Sequence, residues 1–218
     1  MPVKVGLQYI ELWQESMEDV VREKEKEEYP EGQIVFYGPS YFTRWGRKHG
    51  FTPMREVLLG KSGAECVVNR GFGSSCSEHQ LYYYPRMVRP LKPSVLVYEC
   101  FGNAGAFGYT LEERWEIAQR VIAYALTDFP GIRIYLCSPH NSRDQKEEDV
   151  EKKRLFSEWQ KEFAEKTDNV FFLDILNYGP LQSRKDIYVE DGVHFNAEGY
   201  EIYGEMFKKM LRNELDRY

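Results

Sequence analysis

Five short apolar runs, each about the length of a buried strand, recur along this chain with amphipathic stretches between them, and this alternation limits its fold more than any other feature. The runs are 34–37, 65–68, 95–98, 132–137 and 170–173. Helical patterns fill the intervals at 11–28, 78–88, 147–166 and 197–215, and the clearest begins at Thr110. There Thr-Leu-Glu-Glu has the capping-box form, followed by Leu111, Trp115, Ala118, Ile122 and Ala125 on one face. Strands joined through helices cross over and lie parallel. The pattern therefore predicts an α/β fold, a five-stranded parallel sheet covered by helices on both faces. No repeat, low-complexity tract or linker interrupts it. The 218 residues read as one domain over 1–218, with 1–31 as an N-terminal helical extension packed on it.

Composition excludes several partners. There are 29 Lys and Arg against 35 Asp and Glu, a net charge of −6, and no basic stripe offers a nucleic-acid surface. The densest charge run, 22–28, mixes signs and reads as a solvated helix face. No run approaches membrane-spanning length, and Met-Pro-Val-Lys-Val-Gly-Leu-Gln at the start lacks the apolar core of a signal peptide. Cys66, Cys76, Cys100 and Cys137 have no metal-type spacing. Three of them, Cys66, Cys100 and Cys137, sit in or beside predicted strands, where a free thiol behaves as a small hydrophobe. These features predict a cytoplasmic protein with no metal, no nucleic-acid partner and no membrane partner, and they leave homo-oligomerisation open. The 16 tyrosines can line a sugar or acyl cleft as well as a core.

In open parallel sheets, ligands bind at the carboxyl ends of the strands, so the residues just past each run carry the functional information. Gly38-Pro39-Ser40 follow the first run, and Asn69 to Ser74 follow the second. Phe101-Gly102-Asn103 follow the third, and Ser138-Pro139-His140-Asn141 the fourth. Nearer the C-terminus, Asp191-Gly-Val-His194 puts a carboxylate and an imidazole three positions apart, just ahead of the last helical pattern. An Asp so placed can hold one ring nitrogen as N–H and leave the other free to accept a proton. The plainer alternative is a loop Asp that caps the next helix beside a solvated His. Of the histidines at 49, 79, 140 and 194, only the last has such a partner close in sequence.

Taken together, these segments resemble the sequence blocks of the SGNH (GDSL) hydrolase superfamily, from residue 32 to the C-terminal helix. Ile-Val-Phe-Tyr-Gly-Pro-Ser40 is similar to the first block, a strand then Gly-Asp-Ser. Val-Val-Asn-Arg-Gly-Phe-Gly-Ser-Ser75 is similar to the second, Asn-x-Gly-x-Gly-Gly. The strand ending in Phe101-Gly102-Asn103 is similar to the third, and Asp191-Gly-Val-His194 to the last, Asp-x-x-His. The resemblance implies the flavodoxin-like three-layer α/β/α sandwich of those hydrolases and a serine esterase activity. Ser40 is then the nucleophile, His194 the base and Asp191 the orienting acid. The implied oxyanion hole comprises the N–H of Ser40, the N–H of Ser74 with Gly73 as its substitute, and the Asn103 amide. A serine hydroxyl needs such a base, and the tetrahedral oxyanion needs such preorganised donors. The reaction implied is hydrolysis of a small carboxylic ester, an acetylated carbohydrate or a short acyl ester, through an acyl-Ser40 intermediate and without a cofactor. A long-chain lipase is not expected, because no extended apolar lid segment is present.

The chain departs from the family pattern at four positions. Pro39 replaces the Asp of Gly-Asp-Ser, which removes a carboxylate but leaves the Ser40 N–H. Ser74 aligns with a Gly and is expected to take an ordinary φ. Phe101 stands where Gly is usual, and Ala104 where Asp commonly follows the Asn. These departures motivate the alternative of a catalytically degenerate SGNH-like domain that binds a ligand or partner without turnover. A nucleotide-binding domain, suggested by Gly71-Phe-Gly73, lacks both the third Gly of a dinucleotide fingerprint and a P-loop. Arg44, Trp45, Phe72 and Tyr109 are candidates to shape the pocket, and Asp174 is a rival orienting acid. Glu99 reads as a structural or supporting group, and His140 as a solvated loop residue outside the catalytic set.

Overall fold

The computed structural model describes residues 14–103, 105 and 108–218. Strands β1 (Ile34–Gly38), β2 (Val67–Gly71), β3 (Val95–Glu99), β4 (Arg133–Cys137) and β5 (Val170–Leu173) form one parallel sheet in the order β2-β1-β3-β4-β5. The helices are α1 (Gln14–Glu25), α2 (Ser40–Thr43), α3 (Met54–Val57), α4 (Ser77–Met87), α5 (Leu111–Asp128), α6 (Glu147–Lys166), α7 (Gly179–Gln182), α8 (Ala197–Met210) and α9 (Arg212–Leu215). The start predicted for the first helix at residue 11 lies outside the described residues, as does Ala104. Among the described residues no helix is long and apolar enough to cross a membrane.

Alternation along the strands divides the interior in two. Val35, Tyr37, Leu96, Tyr98, Ile134 and Leu136 face one layer, where they meet Met17 and Val21 of α1, Tyr83 and Tyr84 of α4, and Val121 and Ile122 of α5. Ile34, Phe36, Val95, Val97 and Cys137 face the other, against Phe42, Trp45, Met54 and the Tyr203–Phe207 face of α8. A strand buried on both faces carries apolar residues at every position, which explains why the runs were continuous rather than alternating. The Thr110 capping box forms as predicted: its Oγ1 accepts from the Glu113 N–H at 3.3 Å, and Glu113 Oε2 accepts from the Thr110 N–H at 2.8 Å.

The second strand lies later than the apolar run at 65–68. Asn69, Arg70 and Gly71, expected past its end, pair with Phe36, Tyr37 and Gly38 of β1. Their polar groups are satisfied locally. Asn69 donates to the Phe42 carbonyl at 2.7 Å and accepts from the Gly71 N–H at 2.9 Å, while buried Arg70 donates to Glu27 at 2.7 Å. Strand order reverses between β1 and β3. The chain leaves β1 for β2 on one side and returns to β3 on the other, so a crevice opens at the adjoining carboxyl ends. Ser40 and Asn103 stand just beyond those two ends.

Candidate active site

Packing sets the residues around Ser40. At Gly38 a Cβ would come within 2.9 Å of Glu99 Cβ and 3.0 Å of the Phe42 ring, so close approach, not an unusual φ, requires glycine there. Pro39 supplies the N-cap position of α2 and packs against the Asn103 loop, where a Cβ on Gly102 would lie 2.7 Å from its Cγ. The proline ring therefore fills space between the first and third blocks. Ser40 opens α2, so its N–H has no intrahelical acceptor.

The Asp191–His194 spacing makes a closed turn. Gly192 takes φ +68°, which lets Asp191 Oδ1 accept from the N–H groups of Val193 and His194, both at 2.9 Å. Asp191 Oδ2 then lies 2.7 Å from His194 Nδ1, and His194 Nε2 lies 2.8 Å from Ser40 Oγ. Partial burial would raise the Asp191 carboxyl, but the His194 N–H, the imidazole and the Val193 N–H outweigh it and hold it at about 2. The carboxylate is thus ionised at neutral pH. Its partner Nδ1 carries the proton, and Nε2 faces the hydroxyl as an acceptor. Such a chain of contacts lets an imidazole take up a hydroxyl proton while the carboxylate stabilises the resulting cation. The next helix is capped by Asn196, which accepts from the Gly199 N–H at 3.0 Å, so capping is not the task of Asp191.

A buried layer holds these groups together. The Tyr41 hydroxyl donates to the Val193 carbonyl at 2.7 Å, tying α2 to the histidine turn. Its ring stacks on His140 with centroids 3.8 Å apart, and His140 Nε2 meets the Tyr203 hydroxyl at 2.7 Å. His140 is therefore not the solvated loop residue expected. It is 5% exposed, and burial pulls it down to about 3, with the positive charge of Lys153 adding to the effect. A neutral ring is what stacking inside an apolar layer requires.

The oxyanion candidates lie on two loops besides the start of α2. Ser40 and Asn103 line one cleft of about 480 Å³, and Gly73 and Ser74 are not among the residues lining it. Ser74 has φ 61°, contrary to the expectation of an ordinary φ, so the backbone keeps a glycine-like conformation at a cost of about 1–2 kcal/mol. Asn103 is also left-handed, at φ 54°, and its Nδ2 donates to the Ser75 carbonyl at 2.9 Å. That bond ties the Asn103 loop to the loop bearing Gly73 and Ser74.

Five other expectations are corrected. Trp45, Phe72 and Tyr109 are buried, at most 4% exposed, and belong to the core. Arg44 turns to Asp191, with Nη1 3.6 Å from Oδ2. Asp174 is not the imidazole's partner: it accepts from the backbone and side chain of Asn177. Among the described residues no group of three or more His, Cys, Asp and Glu side chains is placed to hold a metal ion.

Glu99 lines the same cleft at only 2% exposure. Its Oε1 accepts from the Phe101 N–H at 3.0 Å, and its Oε2 has no partner among the described residues. Burial pushes the carboxyl up to about 7, against the opposing pull of the Phe101 and Gly102 N–H groups. Because the folded value exceeds the ordinary 4.5, the unfolded chain releases this proton first. Stability from this group is present below the ordinary value and lost as pH rises through the folded one. Glu99→Gln cannot ionise and keeps an oxygen for the Phe101 N–H. Its Tm should therefore gain on the wild type by roughly 5 °C between about pH 5 and about pH 8. Thermal melts at both pH values measure the gap, and a gap that does not widen would refute the buried acid.

The model of the GDSL-like lipase/acylhydrolase family matches residues 36–202. No curated protein sequence matches the chain. Among solved structures, the chain is similar to a GDSL-like lipase from Bacteroides thetaiotaomicron, with TM-score 0.70, 19% identity, and 90% of this chain and 97% of that one covered. It is also similar to a lipase/acylhydrolase from Enterococcus faecalis, with TM-score 0.67, 17% identity and coverage of 84% and 96%. A third is a mutant of an acetyl-xylooligosaccharide esterase from Geobacillus, with TM-score 0.65, 17% identity and coverage of 83% and 94%. At these identities the likeness is one of fold.

Proposed function

This chain belongs to the GDSL-like lipase/acylhydrolase family, and from that membership and the geometry around Ser40 we propose a serine esterase that hydrolyses a small carboxylic ester. The observation that carries the reading is the unbroken contact from Asp191 Oδ2 to His194 Nδ1 at 2.7 Å and from His194 Nε2 to Ser40 Oγ at 2.8 Å. His194 takes the Oγ proton as Ser40 attacks the ester carbonyl. It returns that proton to the departing alkoxide as the C–O bond breaks, leaving acyl-Ser40. Water, deprotonated by the same imidazole, then releases the acid and restores the hydroxyl. Asp191 keeps the ring in the required tautomer throughout.

The Ser40 N–H and the Asn103 amide are the donors for the oxyanion, with the Ser74 or Gly73 N–H as the third. The Asn103–Ser75 bond, which holds the two loops side by side, supports that third donor. A cleft of about 480 Å³ suits a small ester, such as an acetylated carbohydrate or a short acyl ester. The whole chain serves as one catalytic domain, with α1 packed on it against α4 as an extension. Its setting is the cytoplasm, a reading supported by four buried cysteines, none in a disulfide.

A fluorophosphonate probe tests the assignment. Peptide mapping should place the label on the peptide carrying Ser40, and prior exposure to p-nitrophenyl acetate should slow the labelling. Labelling spread over other serines, or none at all, would exclude an activated Ser40.

A further inference from the structure

Part of the cleft wall around Ser40 comes from α5, α6 and the loop between β4 and α6, and it carries cations that the hydrolytic reading does not use. Arg114, in the first turn of α5, lies with its guanidinium carbon 5.5 Å from the Phe101 ring centre. Its Nη2 presses on the Asn103 loop so closely that a Cβ on Gly105 would meet it at 2.5 Å. Nε and Nη2 both donate to the Tyr109 carbonyl at 3.3 Å, and Nη1 makes no hydrogen bond among the described residues. Lys153 is 9% exposed. Its ammonium donates to Gln145 Oε1 at 2.9 Å and to Ser142 Oγ at 3.4 Å, both neutral acceptors.

Neither cation has an ion-pair partner among the described residues, in a chain with 35 carboxylate side chains to 29 basic ones. Elsewhere pairing is the rule: buried Arg70 has Glu27, and Arg133 has buried Glu214. Withdrawing a cation from water without a counter-charge is costly, and an arriving anion can offset that cost. The other charged groups of the cleft do not cancel it. Lys152 is engaged with Glu148, exposed Asp149 attracts Arg114 and Lys153 without forming an ion pair with either and does not offset their burial, and Glu99 is a carboxyl that burial keeps partly protonated at neutral pH.

We propose that the cleft selects esters bearing a carboxylate or phosphate group, held by Arg114 and Lys153 while the ester carbonyl sits at Ser40. The proposal rests on the esterase reading for the reaction and on the unpaired cations for the selectivity. A guanidinium suits planar anions through paired N–H donors, and an ammonium adds a point charge.

The test compares matched esters. On the alcohol side, 4-acetoxybenzoate and 4-acetoxyphenyl phosphate are set against methyl 4-acetoxybenzoate. On the acyl side, p-nitrophenyl hydrogen succinate is set against p-nitrophenyl butyrate. At least one anionic member should exceed its neutral counterpart in kcat/KM by about tenfold or more at low salt, and the preference should shrink as salt rises. The double variant Arg114→Gln/Lys153→Gln should bring the ratio close to one through KM, and Lys153→Arg should restore most of it on the Arg114 wild-type background. Circular dichroism checks the fold, and Arg114→Gln alone serves if the double variant does not fold. Calorimetry on Ser40→Ala reads binding without turnover, and there too the anionic ester should bind more tightly. Discrimination in binding without any ester turnover would uphold the anion site and overturn the esterase reading. Neutral and anionic esters treated alike, in turnover and in binding, would overturn the proposal and leave the esterase reading standing.

Discussion

Ser40→Ala will lose on the order of 10⁴–10⁶ in kcat for p-nitrophenyl acetate while melting close to the wild type. The substitution deletes one oxygen at a half-buried position and leaves the backbone N–H of residue 40 in place at the start of α2. The Asn103 amide and the cleft also survive. What remains is binding and carbonyl polarisation without a nucleophile, so activity should fall to a small residue above the uncatalysed rate. His194→Ala should lose a comparable factor, because the hydroxyl 2.8 Å from Nε2 would then have no base. The double variant should be little worse than either single one, since groups that act as a unit are lost together. A Ser40→Ala enzyme retaining more than about a tenth of wild-type kcat would remove Ser40 from the chemistry altogether.

The parts of this molecule legible in advance are those whose causes are local. The Thr110 capping box needs only four consecutive residues, and α6 begins and ends where its pattern does. The Asp191–His194 turn is readable because Gly192 and a three-residue offset bring carboxylate and ring together whatever surrounds them. The parts that were missed depend on partners far along the chain. Asn69 and Arg70 look like loop residues until Phe42 and Glu27 receive their polar groups. His140 looks solvated until Tyr41 and Tyr203, 99 and 63 positions away, stack on it and bond to it. Glu99 sits at a strand end in the sequence, and nothing local tells that its Oε2 is left without a partner.

Ser74 is instructive in the other direction. An ordinary φ follows from its side chain alone, yet the loop holds it at 61°. The Asn103 amide bonds the next carbonyl, that of Ser75, so the tie between the second and third blocks is made from outside the residue. Tertiary bonding overrides local preference at one exposed position, and a serine takes the left-handed backbone that glycine adopts freely.

Asp191→Asn will lower kcat by roughly 10³–10⁴ with little change in KM or fold. Its two oxygens have different tasks: Oδ1 accepts from the Val193 and His194 N–H groups, and Oδ2 faces His194 Nδ1. An asparagine can satisfy only one set. With its oxygen left on the backbone donors, its NH2 faces Nδ1, which must then be the unprotonated nitrogen. The ring proton moves to Nε2, which points at Ser40 Oγ and can no longer take its proton. With the amide reversed, NH2 meets two N–H donors and the turn opens. Either arrangement removes the base while sparing the hydroxyl. Arg44→Gln provides the contrast. It deletes the 3.6 Å pairing to Asp191 across a partly exposed surface and should change kcat by no more than about threefold. If Asp191→Asn behaved like Arg44→Gln, the carboxylate would be a local charge partner and not the group that sets the tautomer, and the imidazole's orientation would have to come from the Tyr41–Val193 tie instead.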